Sequence, residues 1–415
     1  MIMYNFLKGR LIIVRVTLMA AALALVAIGI ITVYSVGHPA ENTPAQQAED
    51  LGGFWAKQVK FAAVAAIAFI ALNLINYRKL GAASYWIYAS VLLLLSVLLV
   101  GRYVINLPFV PEINNSHRWI KFGGLPALQP SEICKLAYIL ALAWYLRYRS
   151  NYRRFTALIG PFVLTLLPMV MILLEPDLGT VLLMMPVLFT MLFVAGAKVK
   201  HLLIIILLTI IISPLLWRQM NHYQRIRISS VLLQNKWVQK KAEQHPKIGR
   251  ILVGTDFSRQ KWENTWGYQL NRAKFAIASG GLTGYGFRRG PFIKYDFLPT
   301  RHNDFVFAVI AHQWGFLGCL GLLFLYVIII ACGLEIAANN TDPFGRLLAI
   351  GIVAMFTVEI IVNISMALGL MPITGLTLPL VSYGGSSLLV STAAVGLLNN
   401  VGRCRPFSVA PKSFE

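Results

Sequence analysis

The chain has 415 residues, of which 57% are hydrophobic and only 13% are charged, and its formal net charge is +21 at pH 7. Its mean hydropathy is +0.67, and its apolar residues fall in blocks about as long as a membrane-spanning helix. This composition excludes an ordinary water-soluble globular domain. It predicts an all-α, polytopic membrane protein surrounded by lipid bilayer.

The apolar blocks predict about ten transmembrane helices within a single integral membrane domain, 1–415, with a long loop, 218–303, before the eighth helix. The four cysteines have no C-x-x-C spacing, so they indicate neither a disulfide nor a metal site. The predicted spans are 11–36, 55–75, 85–100, 132–146, 157–174, 178–195, 202–216, 305–332, 347–370 and 376–398.

The Lys and Arg residues of the short loops all fall on one side if these spans alternate. By the positive-inside rule that side is cytoplasmic, which puts both termini inside and the long loop outside. These residues are Lys8, Arg10, Arg78, Lys79, Arg147, Arg149, Arg153, Arg154, Lys198, Lys200, Arg346, Arg403 and Arg405.

The long outer loop is strongly basic, and Arg225 and Arg227 lie near its start. One interpretation is a solvated surface attracted to anionic lipid head groups. The other is an electrostatic funnel for an anionic substrate, to which Arg225 and Arg227 would contribute. Because this basic segment faces away from the cytoplasm, we expect no nucleic-acid partner.

Charged residues also occur around the fourth predicted helix. Arg118 and Lys121 precede it, and are either interfacial anchors or phosphate-binding groups. Glu132 and Lys135, three residues apart, share one face of its first turn. An ion pair at that depth is costly unless it faces a polar cavity, which is the interpretation we favour.

Further polar residues fall on the same predicted outer side. Glu175-Pro176-Asp177 must form a tight turn between two apolar runs, where Asp177 can cap the next helix but Glu175 has no such role. Ser382 lies in a run of small residues, S-Y-G-G-S-S, that is more typical of tight helix packing than of a site.

Asp304 follows a basic polar segment and begins a long apolar run, so we expect it in the first turn of a helix at the membrane surface. It is either a capping residue that satisfies the helix N-terminus or a functional carboxylate. Ionisable residues in membrane proteins are usually functional. Together with Arg118, Glu132, Lys135, Glu175 and Ser382, it predicts one site in the outer half of the membrane.

These residues lie in motifs that resemble the SEDS family of bacterial peptidoglycan glycosyltransferases, which includes RodA, FtsW and the sporulation relatives. The resemblance runs through nearly the whole chain, and the pattern favours the RodA-like branch. The motifs are H-R-W-I-K-F, Q-P-S-E-I-C-K-L-A, E-P-D-L-G-T, Y-Q-R-I-R-I, S-G-G-L-T-G-Y-G-F, L-P-T-R-H-N-D-F-V-F-A-V-I-A and G-L-T-L-P-L-V-S-Y-G-G-S-S.

The resemblance implies polymerisation of lipid II at the outer face of the cytoplasmic membrane, in elongation or division, together with a class B penicillin-binding protein. Asp304 matches the family's essential aspartate and is the expected general base. The pyrophosphate leaving group needs cations or a divalent metal such as Mg or Mn. The candidate substrate-binding residues are Arg118, Lys121, Glu132, Lys135, Glu175, Arg225, Arg227 and Ser382.

The chain departs from the family pattern at His312, Gln313 and Glu359, and 235–262 looks like an insertion in the outer loop. Two other functions stay open at this point. One is a lipid II flippase, for which Glu359 would be a step at the membrane midplane. The other is a lipid-linked glycan polymerase or ligase of the O-antigen type.

Overall fold

The fold is known from a computed structural model, which describes residues 11–38, 53–105, 107–112, 117–121, 127–148, 155–220, 222–295, 297–298 and 302–404. Within these ranges the regular structure is helical, apart from a single bridge between Ile120 and Leu128. Six helices are long and apolar enough to cross a membrane, and two shorter ones are also apolar. The all-α, polytopic fold is confirmed.

In the described part of the chain, ten helices build the bundle. A count of ten transmembrane spans stays a prediction, because the fourth and the last helix of this set fall outside those two groups. The helices are α1 (Ile12–Gly37), α2 (Phe54–Leu74), α3 (Tyr77–Tyr103), α4 (Pro130–Leu146), α5 (Ile159–Leu174), α6 (Leu178–Val194), α7 (Val199–Gln219), α14 (Val306–Ala338), α15 (Pro343–Leu368) and α16 (Gly385–Arg403).

The long segment between α7 and α14 is not an irregular loop, because it folds into six short helices. Proline and glycine mark the helix ends: Pro246 and Pro291 each begin a helix, and Gly254, with φ +85°, caps the end of the helix that Pro246 begins. The helices are α8 (His222–Leu232), α9 (Lys236–Gln244), α10 (Pro246–Val253), α11 (Arg259–Glu263), α12 (Trp266–Gly280) and α13 (Pro291–Lys294).

The predicted tenth span is wrong in its first part, because residues 371–384 are not helical. Pro379 cannot donate a helical hydrogen bond, and Gly375 and Leu380 adopt positive φ values of +78° and +65°. Irregular backbone is tolerated at membrane depth only where it is buried in protein or lines a water-filled cavity. Here Gln58 of α2 donates to the Ser382 carbonyl at 3.2 Å.

One end of the bundle is closed by buried polar contacts. The Arg15 Nε atom of α1 donates to Asn399 of α16 at 2.9 Å, and Asn399 donates in turn to Asn73 at 2.5 Å. Tyr77 donates its hydroxyl hydrogen bond to Asp342 at 2.8 Å, just before α15. Asp304 lies at the opposite end of the bundle, called the Asp304 end below.

Helix α14 is kinked at Gly315, whose φ of +61° is not helical. The glycine-rich segment after α12 crosses the helix at this kink. Tyr285 and Gly286 donate backbone hydrogen bonds to the carbonyls of His312 and Gln313, at 3.1 and 2.9 Å. A Cβ at Gly284 would lie 2.2 Å from the Gln313 oxygen, so glycine is required there.

The two residues that depart from the family pattern in α14 are part of this crossing. The His312 ring accepts a hydrogen bond from Phe292 N–H at 3.4 Å and lies 2.8 Å from the Ser279 hydroxyl. The Gln313 amide donates to Ser35 of α1 at 2.6 Å. Both side chains are buried, and both tie α14 to its neighbours.

Candidate active site around Asp304

Asp304 lies in a turn just before α14. The expected position in the first helical turn is wrong by a short margin, because the N-cap residue is Phe305 and no side chain caps this helix end. Among the residues that the structure describes, none forms a hydrogen bond with the Asp304 carboxylate. The carboxylate is therefore not used to stabilise the helix start.

The backbone around Asp304 is held by three donors from α15 and the irregular segment that follows it. Asn363 Nδ2 donates to the Asp304 carbonyl at 3.0 Å, and the Ser382 hydroxyl donates to the Asn303 carbonyl at 2.7 Å. Tyr383 N–H donates to the His302 carbonyl at 3.0 Å. These contacts fix the peptide groups and leave the acidic side chain available for chemistry.

Ser382, a candidate substrate-binding residue, has its hydroxyl engaged within the protein. It accepts a hydrogen bond from Leu378 N–H at 2.8 Å in addition to donating to Asn303. Its neighbour Tyr383 packs edge-on against the His302 ring, with 5.6 Å between the ring centroids. Through its bond to Asn303, Ser382 helps to position the Asp304 turn.

The charges around Asp304 come from three separate parts of the chain. Partial burial raises the pKa of Asp304 to about 6, and the negative charge of Asp177 acts in the same direction. The guanidinium groups of Arg227 and Arg118 oppose this rise by favouring the carboxylate. A carboxylate with a pKa close to the working pH is suited to accept a proton during catalysis.

Arg118 and Asp177 are both held by the turn between α5 and α6. The Arg118 side chain donates to the carbonyls of Glu175, at 2.8 Å, and of Pro176. Asp177 accepts hydrogen bonds from the Ser131 hydroxyl at 2.9 Å and from Thr180 at the start of α6. The predicted tight turn is confirmed, and it fixes the position of one cation and one anion near Asp304.

Glu175 is buried in this turn, and neither of its carboxylate oxygens has a hydrogen-bond partner among the described residues. Burial raises its pKa to about 9, and Asp177 adds to the rise, while Arg118 and Arg102 oppose it. Burial therefore favours the uncharged form of this side chain. A role for Glu175 in binding substrate stays a prediction.

Lys135 lies between two carboxylates in the interior of the bundle. Its Nζ atom lies 2.8 Å from Glu132, one turn away on α4, and 2.6 Å from Glu359 on α15. All three side chains are buried. The sequence predicted the Glu132 contact from the spacing of the two residues, but it did not predict Glu359, whose partner lies on another helix.

Glu359 also connects this cluster to Asp304. Asn363 lies four residues further along α15, on the same face, and holds the Asp304 carbonyl. The same Asn363 amide donates to the Leu376 carbonyl at 2.7 Å, in the irregular segment. The ion cluster thus fixes the part of α15 from which the Asp304 turn is positioned.

Two of the candidate cations are placed differently. Lys121 has an exposed side chain. Arg225 donates to the carbonyls of Met220, at 3.0 Å, and of Arg218, at 2.7 Å, at the end of α7. Both remain predicted substrate contacts. For the residues with described positions, no group of three or more His, Cys, Asp or Glu side chains could hold a metal ion.

Residues 15–405 match the family model described as "Cell cycle protein", for FtsW, RodA and SpoVE. The chain is 31% identical to the peptidoglycan glycosyltransferase RodA of Treponema pallidum, covering 92% of this chain and 96% of that one. It is 34% identical to the peptidoglycan glycosyltransferase MrdB of Escherichia coli K12, covering 69% and 70%.

Two solved structures share the fold. A chain from the study "Structural coordination of polymerization and crosslinking by a peptidoglycan synthase complex" superposes with a TM-score of 0.72 at 30% identity, covering 93% of this chain and 96% of that one. The rod shape determining protein RodA of Thermus thermophilus superposes with a TM-score of 0.62 at 29% identity, covering 93% and 95%.

We expect Lys135→Met to destabilise the protein strongly, because it leaves two buried carboxylates without their cation. Removing one partner of a buried ion pair typically costs about 3–5 kcal/mol. Thermal unfolding in detergent, followed by size-exclusion chromatography, measures the loss. The single variant Glu359→Gln serves as control, since it leaves Lys135 paired with Glu132 and should cost much less.

The variant that combines Lys135→Met with Glu132→Gln and Glu359→Gln removes every charge of the cluster. It should recover a large part of the stability lost in Lys135→Met. A Lys135→Met protein as stable as wild type would show that these three charges do not depend on one another.

Proposed function

This chain belongs to the FtsW, RodA and SpoVE family of cell cycle proteins, and we propose that Asp304 is the general base of its reaction. The protein is a peptidoglycan glycosyltransferase that acts in cell elongation or division. It is a multi-pass protein of the bacterial inner membrane.

The proposed substrate is lipid II, in which a disaccharide-peptide is joined to undecaprenol through a pyrophosphate. In each cycle a hydroxyl of the acceptor sugar attacks the anomeric carbon of the donor sugar. A new carbon–oxygen bond forms, the bond from that carbon to the phosphate oxygen breaks, and undecaprenyl pyrophosphate leaves. The hydroxyl proton passes to the Asp304 carboxylate.

The observation that carries this assignment is the setting of Asp304. Its backbone is fixed by Asn363 and Tyr383, while its half-buried carboxylate has a pKa of about 6. A base in a fixed position, with a pKa slightly below the working pH, is mainly ionised and still basic enough to take a proton in the transition state.

The leaving pyrophosphate develops negative charge as the bond breaks. The positive charges of Arg118 and Arg227 both act on Asp304, whose pKa they lower. Arg118 is held by its contacts with the Glu175 and Pro176 carbonyls, so its charge is in place before the reaction starts. Preorganised cations of this kind stabilise a transition state without further rearrangement. We propose that these two arginines stabilise the negative charge of the leaving pyrophosphate.

The proposed reaction has no step that uses a divalent cation. The nearby Asp177 oxygens already accept hydrogen bonds from Ser131, Gln129 and Thr180. The described residues also include no group of three or more His, Cys, Asp or Glu side chains that could hold a metal ion. Mg or Mn bound with the pyrophosphate of the substrate stays a prediction.

We place the Asp304 end on the extracytoplasmic side and both termini in the cytoplasm. Arg78, Arg147, Arg346 and Arg403 lie at helix ends away from Asp304, as the positive-inside rule requires for a cytoplasmic face. We also propose a class B penicillin-binding protein as partner, because a relative of this chain is part of a complex described as coordinating polymerization and crosslinking.

Asp304→Asn tests the catalytic role against a structural one. Asparagine keeps nearly the same volume but cannot take the proton, so polymerisation of lipid II should fall by about a hundredfold to ten-thousandfold. The thermal stability and the binding of lipid II should stay close to wild type. Product length on a gel, with purified protein and its cognate penicillin-binding protein, gives the readout.

Asp256→Asn is the matched control, because it makes the same chemical change at an exposed residue paired with Arg250. It should polymerise normally. Near-normal polymerisation by Asp304→Asn would remove Asp304 from the catalytic machinery. Lost lipid translocation with intact polymerisation would favour the flippase instead.

The orientation is tested by cysteine labelling in a Cys404→Ser background, since the other three cysteines are buried. Thr255→Cys, exposed between α10 and α11, should react with an impermeant thiol reagent in intact spheroplasts. Thr341→Cys, exposed between α14 and α15, should react only after the membrane is opened. The reverse pattern would place Asp304 on the cytoplasmic side.

A further inference from the structure

Helices α8 to α11 form a separate layer at the Asp304 end. The layer has its own small core, in which Ile226, Leu233, Ala242, Val253 and Trp262 are buried together. Residues 222–263 contain nine Lys and Arg against three Asp and Glu. The layer is therefore a positively charged unit with its own core.

The position of the layer is fixed by contacts with the ends of two membrane helices. Trp217, near the end of α7, donates its indole N–H to the Ile251 carbonyl at 2.7 Å. The Gln234 amide donates to the carbonyl of Gly369, which ends α15, at 2.8 Å. Since α7 carries mostly exposed apolar side chains, these contacts place the layer where the lipid-facing surface stops.

The surface of the layer combines large apolar side chains with cations. Trp237 is 62% exposed, Ile251 61% and Leu232 55%. The ammonium group of Lys241 lies 3.9 Å from the centre of the Trp237 ring. Tryptophan next to lysine, at the level where apolar helices end, is typical of a membrane interface.

The acidic residues of the layer are already engaged by its arginines. Asp256 pairs with Arg250 at 2.8 Å, and Glu263 pairs with Arg259 at 2.7 Å. Glu243 accepts a hydrogen bond from the Arg259 backbone N–H at 3.2 Å. The lysines have no ion pair in the described part of the chain. They are exposed residues: Lys236, Lys240, Lys241, Lys247 and Lys261.

We propose that this layer binds the anionic head groups of membrane phospholipids. The lysine ammonium groups contact lipid phosphates, while Trp237 and Ile251 enter the boundary between head groups and acyl chains. A solvated glycan strand is a poorer fit, because it would leave the exposed Ile251 and Leu232 in water. Lipid binding is independent of the reaction assigned to Asp304.

The layer also carries a residue of the candidate active site. Arg227 lies on α8 and acts electrostatically on Asp304. Binding of the layer to lipid would therefore hold this arginine at the level of the head groups, where a lipid-linked pyrophosphate lies. This consequence rests on the proposed function, whereas the binding itself does not.

The test compares two variants that each remove two positive charges from the layer. Lys240→Gln/Lys241→Gln removes lysines without an acidic partner, and Arg250→Gln/Arg259→Gln removes arginines that are already paired. The full-length protein is reconstituted in phosphatidylcholine with spin-labelled phosphatidylglycerol or spin-labelled phosphatidylcholine as probe. The motionally restricted fraction of each probe gives the preference for the anionic lipid.

Wild type should prefer phosphatidylglycerol, and in the lysine variant this preference should be lower by a factor of about five or more. The arginine variant should keep most of it. An equal loss in both variants would show a diffuse charge effect without a lipid-binding surface. No preference in wild type would overturn the proposal directly.

Trp237→Phe locates the surface by a second readout. The difference in fluorescence between wild type and Trp237→Phe is the signal of Trp237. This signal should be quenched by brominated phosphatidylglycerol in nanodiscs and protected from aqueous iodide. Quenching by iodide alone would place Trp237 in water and contradict the proposal. Protection from iodide by added anionic glycan strands, in place of lipid, would identify a glycan-binding surface instead.

Discussion

The ammonium group of Lys135, which lies between the carboxylates of Glu132 and Glu359, is the contact on which the rest of the active-site end depends. A single buried charge would be very unfavourable in the membrane interior, so these side chains are stable there only as a cluster. Because the cluster joins α4 to α15, it fixes the height and rotation of α15. Asn363, one turn further on, then holds both the Asp304 turn and the irregular segment.

The same requirement explains why an irregular segment can exist at this depth. Residues 371–384 are not helical, yet Asn363, Gln58 and the Ser382 hydroxyl supply partners to the backbone of this segment and of the Asp304 turn. The polar residues at this end thus satisfy backbone groups that water does not reach. The Asp304 carboxylate forms no hydrogen bond with the described residues, so it stays available for the proposed chemistry.

Hydropathy predicted most of the bundle, because bilayer thickness sets a minimum length for an apolar helix. It could not predict that 371–384 is irregular, since apolar residues give the same hydropathy in either conformation, and Pro379 was the main signal. The spacing of Glu132 and Lys135 revealed their contact, because both lie on one helix. Glu359 could not be paired in the same way, since a contact between two helices leaves no fixed spacing in the sequence.

We propose that the ionisation of the Asp304 carboxylate controls the reaction. The pH dependence of lipid II polymerisation at low substrate concentration tests this most directly. A base is inactive when protonated, so the rate should fall below an inflection near pH 6, the pKa that burial gives this residue. Arg227 favours the charged form of Asp304, so Arg227→Gln should move the inflection to higher pH. A rate without an inflection between about pH 5 and 7, or an inflection that Arg227→Gln leaves in place, would contradict the claim.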